Sequence, residues 1–285
     1  MRQFSLNIHG KLVEFGERPL VAGILNMSPE SFHTPEKKGN GVSGLAHTVR
    51  QHIREGADIL DLGGCSTRPG LPSVSEEEEL KRVRQGLEII RQEAGDRALV
   101  SIDTFRSSVA RMAVEEFGAD IINDISGGLM DSDMLATVAS LHVPYILMHM
   151  RGNPENMQQL CEYPQGVTGG VLAELAERVA DAELAGICDI IIDPGFGFAK
   201  TLAQNWELMA NLQLLDVLHR PVLVGVSRKS MITKALSIET KDALNASTAL
   251  HSYALDRGAD ILRVHDVRAA REAADLYALL NQHNN

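Results

Sequence analysis

Three runs of this sequence close an apolar stretch with side chains or glycines suited to anions: Asp61-Leu62-Gly63-Gly64-Cys65-Ser66-Thr67-Arg68-Pro69-Gly70, Ser227-Arg228-Lys229-Ser230 and Arg263-Val264-His265-Asp266. Other runs end on acids and amides, at Asp103, Asn123 and Asp193. The two sets suit different parts of one ligand. Carboxylates and amides pair with the N–H edge of a flat aminoheterocycle, whereas Arg and His fork onto phosphate oxygens. Such a site rejects analogues that lack the polar edge, because each buried carboxylate left unpaired costs about 1–3 kcal/mol. A small, highly charged ligand such as a diphosphate is the expectation.

These residues converge only if the runs that carry them are parallel and adjacent. Eight short apolar runs recur, over Leu20–Met27, Ala57–Gly64, Ala98–Thr104, Ala119–Ser126, Pro144–Met150, Asp189–Phe196, Pro221–Ser227 and Ala259–Asp266. Stretches such as Asp120-Ile121-Ile122-Asn123 lack in-out alternation and fit strands buried on both faces. Helical spacing separates them. Ser75 with Glu78 three residues on predicts a capping box, and Leu80, Val83, Leu87 and Ile90 follow at three- to four-residue steps. Ser107/Ser108 and Asp131/Ser132 are the predicted N-caps of the third and fourth helices. Gly56, Gly118, Gly186 and Gly258 mark helix-to-strand joints, most of them as Gly-Ala-Asp.

Eight βα units predict an α/β fold, the (β/α)8 TIM barrel, with a doubly wound open sheet as the competitor. Alternating Phe4, Leu6 and Ile8 before His9-Gly10 predict a small hairpin over residues 1–16, capping the floor of a barrel over 20–282, with 1–285 forming one domain. Active sites of such barrels lie at the C-terminal strand ends. In chain order those ends offer Asn26, Thr67/Arg68, Asp103, Asn123/Asp124, Met148/His149, Asp193, Ser227/Arg228/Lys229 and Arg263/His265.

With 27 Lys+Arg against 38 Asp+Glu the formal charge is -11, which argues against nucleic acid or an anionic membrane as partner. Three widely spaced cysteines (Cys65, Cys161, Cys188) give neither a disulfide framework nor a zinc site and suit a reduced cytoplasmic compartment. Some signals have plainer readings. A strand-end aspartate such as Asp103 or Asp193 can simply cap the following helix or pair with a neighbouring Arg. His149 reads as a satisfied barrel-end histidine, and His33, His47, His52 and His142 read as surface residues. The Gly195–Lys200 run lacks the Gly-Lys-Ser/Thr ending of a nucleotide-binding loop. Glu76–Glu79 reads as a helix N-terminus exploiting its dipole, and Cys65 as a packing residue.

Taken together, the strand ends resemble dihydropteroate synthases, folate-pathway enzymes of the pterin-binding barrel family. The motifs GGCSTRPG, SIDTFRSSVA, IINDISGG, DPGFGFAKT, VGVSRKSMI and RVHDV carry the resemblance across nearly the whole chain; the Cys and the Ala within them are similar to fungal versions. The resemblance implies condensation of 6-hydroxymethyl-7,8-dihydropterin diphosphate with p-aminobenzoate, giving dihydropteroate and diphosphate, by a cytoplasmic Mg²⁺-assisted homodimer. It implies that Asp103, Asn123, Asp193 and Lys229 hold the pterin ring, with Ile125 and Met148 on its faces. Asn26, Arg68, Arg263 and His265 would hold the diphosphate, and Asn26 would also reach Mg²⁺. Thr67, Pro69, Phe198 and Ser227 would frame the p-aminobenzoate pocket. Asp103, Lys229, Arg263 and His265 are the residues implied for catalysis.

One departure stands out. Relatives usually read N-x-T-P-D-S-F-S-D-G-G after the first barrel strand, whereas Glu30 and Thr34 replace the two acids here. The expectation is a first loop altered in ordering or in inhibitor response. Competing readings are a pterin-binding paralogue without turnover, a methyltetrahydrofolate methyltransferase, and a Schiff-base lyase using Lys229.

Overall fold

The hairpin and all eight strands form within the predicted windows. The computed structural model describes residues 3–27, 42–65 and 74–283. Strands β1 (Phe4–Ile8) and β2 (Lys11–Phe15) pair antiparallel. The turn between them holds His9 and Gly10 at φ 50° and 79°, as a type I′ hairpin requires.

Eight parallel strands follow: β3 (Leu20–Asn26), β4 (Ile59–Gly63), β5 (Leu99–Asp103), β6 (Ile121–Asp124), β7 (Tyr145–Met148), β8 (Ile190–Asp193), β9 (Leu223–Val224) and β10 (Ile261–Val264). Their order is β8-β7-β6-β5-β4-β3-β10-β9, and a parallel bridge between Ile192 and Val222 closes the ring. The helices are α1 (Val42–Arg54), α2 (Glu76–Glu93), α3 (Ser107–Phe117), α4 (Met134–Leu141), α5 (Val167–Leu184), α6 (Leu202–Ala210), α7 (Ser230–Leu236), α8 (Leu244–Asp256) and α9 (Val267–Gln282). Two of them, α7 and α8, follow β9.

The barrel splits its core in two. Outward residues such as Leu60, Leu62, Ile102, Ile122, Leu147 and Ile192 pack under the helices. Inward residues Ile59, Ile121, Ile146, Ile191 and Ile261 form the floor, plugged from below by Leu6 and Ile8 of the hairpin. Because side chains repeat every second residue along a strand, the residue two beyond each floor isoleucine also points inward, one layer higher. Those residues are Asp61, Asn123, Met148, Asp193 and Arg263. An apolar floor beneath a polar layer is thus written in the strand pattern.

The glycine joints have the expected left-handed backbone, with φ of 88° at Gly56, 68° at Gly118, 100° at Gly186 and 95° at Gly258. The aspartates beside them do further work: Asp58, Asp120 and Asp260 accept the N–H of Val21, Val100 and Val222 at 2.8, 2.7 and 2.9 Å. Each bond ties a joint to the start of a neighbouring strand.

Several local expectations are corrected. Ser75 caps α2 through the N–H of Glu78 at 3.3 Å, but the Glu78 carboxylate takes Arg82 at 2.9 Å, so the reciprocal half of the box is missing. Ser107 lies inside α3, and the N–H at its start is capped across space by Asp131 at 2.7 Å. Glu79 is fully buried, paired with Arg106 and accepting from Thr104 Oγ1 at 2.6 Å, so it braces the β5–α3 turn and is no exposed part of an acidic helix end. His52 is buried, not at the surface: Gly23 lacks the Cβ that would sit 2.6 Å from its ring, and the imidazole of α1 fills that space. Glu30, His33, Thr34, Thr67, Arg68 and Pro69 lie outside the described residues.

Candidate active site

Asp61, Asp103, Asn123 and Arg263 form one hydrogen-bonded cluster at the mouth, with Asp193 and Lys229 held to the turn after β8. Arg263 on β10 donates from Nε to Asp61 at 2.6 Å and from a terminal nitrogen to Asp103 at 2.7 Å. Asn123 on β6 donates its amide to both Asp61 oxygens at 3.3 Å. Asp193, at the end of β8, accepts the N–H of Gly195 at 2.7 Å. Lys229, just past β9, donates to the carbonyl of Phe196, and its ammonium lies 4.9 Å from the centre of the Phe198 ring. Together these residues set acidic and basic groups side by side at the C-terminal ends of the strands.

Enclosure sets the electrostatics. Burial raises the Asp103 carboxyl to about 7 against the pull of Arg263, with Asp61, Asp124 and Asp193 adding to the rise. Burial likewise raises Asp193, with Lys229 opposing. Burial lowers Lys229 to about 8, with Asp193 opposing. Burial also works against the charge of Arg263, but Asp61 and Asp103 outweigh it and its pKa is raised. Titratable groups driven toward neutral pH in a cleft mark a functional site.

Ile125 and Met148 are buried in an apolar cluster with Met150, Met157 and Ala199, against which Phe105, Met130 and Phe198 pack. This cluster offers a wall for a flat ring beside the acids. Ser227 is buried and accepts the backbone N–H of His265 at 3.2 Å, tying the ends of β9 and β10 together. The His265 side chain is exposed, and Asn26 is half-buried at the end of β3. Asp61 was absent from the sequence candidates although it is the hub joining Arg263 to Asn123; the signal was its place two residues beyond Ile59. Arg228, read above as part of a cationic cluster, is held elsewhere. Its guanidinium forks onto Asp266 at 2.7 and 2.8 Å and donates to the carbonyls of Thr240 and Lys241. His149 is satisfied as expected, between Lys200 at 2.9 Å and Glu174 at 3.1 Å.

Among the described residues no three His, Cys, Asp or Glu side chains group as a cation cage. Mg²⁺ is commonly held by one or two protein oxygens together with substrate phosphates and waters. Asn26, half-buried at the end of β3 between β4 and β10, carries an amide oxygen of the type that could hold such an ion.

Fold and site define a (β/α)8 barrel built to bind a small polar ligand at the C-terminal ends of its strands. Residues 22–265 match the model for pterin binding enzymes. The chain is 42% identical to the dihydropteroate synthase of Synechocystis sp. over 90% of its own length and 89% of the relative's. It superposes on Xanthomonas albilineans dihydropteroate synthase solved with 4-aminobenzoic acid at a TM-score of 0.87, with 38% identity over 98% of this chain and 99% of the other. The same enzyme in complex with 7,8-dihydropteroate gives 0.83, with 36% identity over 98% and 99%. The chain belongs to the pterin binding enzyme family.

Proposed function

We propose that this chain is a dihydropteroate synthase, a transferase of folate biosynthesis. It joins 6-hydroxymethyl-7,8-dihydropterin diphosphate to p-aminobenzoate, forming 7,8-dihydropteroate and diphosphate. The observation that carries the reading is the convergence of Asp103, Asn123, Asp193, Lys229 and Arg263 in a barrel whose relatives are synthases.

The roles follow from charge and direction. Asp103, Asn123, Asp193 and Lys229 hold the polar edge of the pterin, and Ile125 and Met148 pack on its faces. Two of the five N–H groups of Arg263 are used by Asp61 and Asp103, so three remain for the diphosphate. His265 and Asn26 extend that subsite, and Asn26 would supply an oxygen to Mg²⁺. The chemistry Mg²⁺ would supply there is charge neutralisation on the diphosphate, which makes it a better leaving group. Arg263 and His265 stabilise the charge that develops as the C–O bond breaks. The carboxylates of Asp103 and Asp193 stabilise the pterin methylene cation. The arylamine, packed against Phe198 and Ser227, forms the new C–N bond and then loses its proton.

No helix among the described residues is long and apolar enough to cross a membrane. With three free cysteines, this supports the proposal of a cytoplasmic enzyme. Exposed Trp206, Leu236, Leu244, Tyr253, Leu276 and Leu279 on α6 to α9 support a homodimer formed through that side. Sulfonamides, as arylamine analogues, are expected to compete at the Phe198 pocket. The test of function is complementation of a strain deleted for its own synthase and maintained on folate-derived end products. Growth without those supplements is the expected result, and no growth despite soluble expression of the chain would overturn the reading.

A further inference from the structure

The connection from β8 to α6, residues 194–201, carries Phe198 at the mouth. Its backbone is left-handed at Gly195, Gly197 and Ala199, with φ of 69°, 85° and 48°. An added Cβ at Gly195 would meet the carbonyl oxygen of His149 at 2.0 Å, so the turn presses directly on the end of β7. A turn this irregular directs its carbonyls in several directions, and each buried one needs a donor. Two lysines supply them from opposite sides. Lys229 reaches the carbonyl of Phe196 from the mouth.

Lys200 works from behind. Its ammonium donates to the carbonyls of Gly195 and Phe198, both at 3.0 Å, and approaches His149 Nδ1 at 2.9 Å. An ammonium has three donors and no acceptor. All three are therefore used, and His149 accepts at Nδ1 while its Nε2–H donates to Glu174 at 3.1 Å. Arg151 braces the same carboxylate at 2.9 Å, and Tyr163 donates to the carbonyl of Ala199 at 3.0 Å. Lys200 and His149 are each only 3% exposed. An isolated buried ammonium is costly, yet this one is enclosed by a fitted set of acceptors behind the candidate site. It lies outside every role assigned above.

We infer that Lys200 is a positioning residue for the p-aminobenzoate half of the reaction, clamping the Gly195 and Phe198 carbonyls so that the Phe198 ring stays against Lys229. This rests on the synthase reading. Lys200 touches no substrate and acts through the turn. Of the four pterin-holding residues, Asp103 and Asn123 lie on other strands while Asp193 and Lys229 bond to this turn, so loss of the clamp should weaken p-aminobenzoate binding more than pterin binding.

The experiment compares wild type, Lys200→Met and Tyr163→Phe by steady-state kinetics and by direct titration with the pterin diphosphate. Lys200→Met is expected to raise KM for p-aminobenzoate about tenfold or more and to lower kcat, since a displacement of about 1 Å at a site is enough to cost that much. Its affinity for the pterin diphosphate should fall by a clearly smaller factor than the p-aminobenzoate KM rises, because Asp103, Asn123 and Arg263 lie on other strands and only Asp193 and Lys229 bond to the turn. Tyr163→Phe, which removes one bond to the same turn, should shift the same KM in the same direction by a smaller factor. A Lys200→Met enzyme that melts earlier yet keeps both KM values would overturn the inference, since Lys200 would then be merely structural. If Lys200→Met does not fold, an unchanged p-aminobenzoate KM in Tyr163→Phe would overturn it. Wild type that releases no diphosphate in response to p-aminobenzoate would instead overturn the synthase reading beneath it.

Discussion

Arg263→Met is expected to lower kcat/KM for the pterin diphosphate by about 10³-fold or more, the combined scale of losing a transition-state cation and breaking a buried ion pair. Arg263 holds Asp61 and Asp103 at 2.6 and 2.7 Å while keeping further N–H groups for the leaving group. Removing it strips charge stabilisation from the departing diphosphate. It also removes the charge that opposes the burial-driven rise of Asp103, so that carboxyl takes up a proton at neutral pH and ceases to serve the pterin as an anion. Arg263→Lys should recover little, because one ammonium cannot fork across two carboxylates as a planar guanidinium does. Steady-state kinetics on both variants check this, and a loss smaller than about tenfold would remove Arg263 from its proposed place.

Asp103→Asn should lower activity and raise stability together. The amide keeps the shape but loses the charge that receives the pterin N–H edge, a loss of about 10²-fold on the scale of a charge-assisted hydrogen bond. The stability sign follows from the pKa. The folded value of about 7 lies above the ordinary value of 3.8, so the folded protein binds this proton more tightly than the unfolded chain. Stability from this group therefore falls as pH rises from about 4 to about 7, and above 7 the buried charge exerts its full penalty. The neutral amide carries no such penalty, so Asp103→Asn should melt higher than wild type at pH 8. The gap should narrow toward pH 4, each kcal/mol amounting to about 2–4 °C in a chain of this size. In wild type, kcat/KM should rise through about pH 7 as Asp103 ionises and fall above about 8 as Lys229 loses its proton. The two limbs belong to a coupled set of groups, but only the acid limb should vanish in Asp103→Asn. Thermal melts and pH–rate profiles on the same preparations test both halves.

The strands were legible because parallel barrel strands, buried on both faces, leave unbroken apolar runs, and the joints because Gly56, Gly118, Gly186 and Gly258 adopt a backbone that favours glycine. Asp103, Asn123, Asp193 and Arg263 were legible because they end such runs. What stayed hidden depends on contacts distant in sequence. Asp61 sits inside a run, and its role shows only when Arg263, on a strand 202 residues away, is placed opposite it. Glu79 belongs to an acidic quartet until Arg106 is brought over it. His52 needs the missing Cβ of Gly23, and Lys200 needs two carbonyls of its own turn and a histidine from β7's end. Arg228 shared a motif with Lys229 but has φ 56°, a backbone reversal the motif does not reveal, and its side chain goes to Asp266.

Diphosphate release from 6-hydroxymethyl-7,8-dihydropterin diphosphate, followed with and without p-aminobenzoate in the presence of Mg²⁺, tests the central claim most directly. The account predicts release driven by p-aminobenzoate and matched one for one by 7,8-dihydropteroate. Tight pterin binding with no p-aminobenzoate-dependent release would contradict it and leave a pterin-binding protein without turnover.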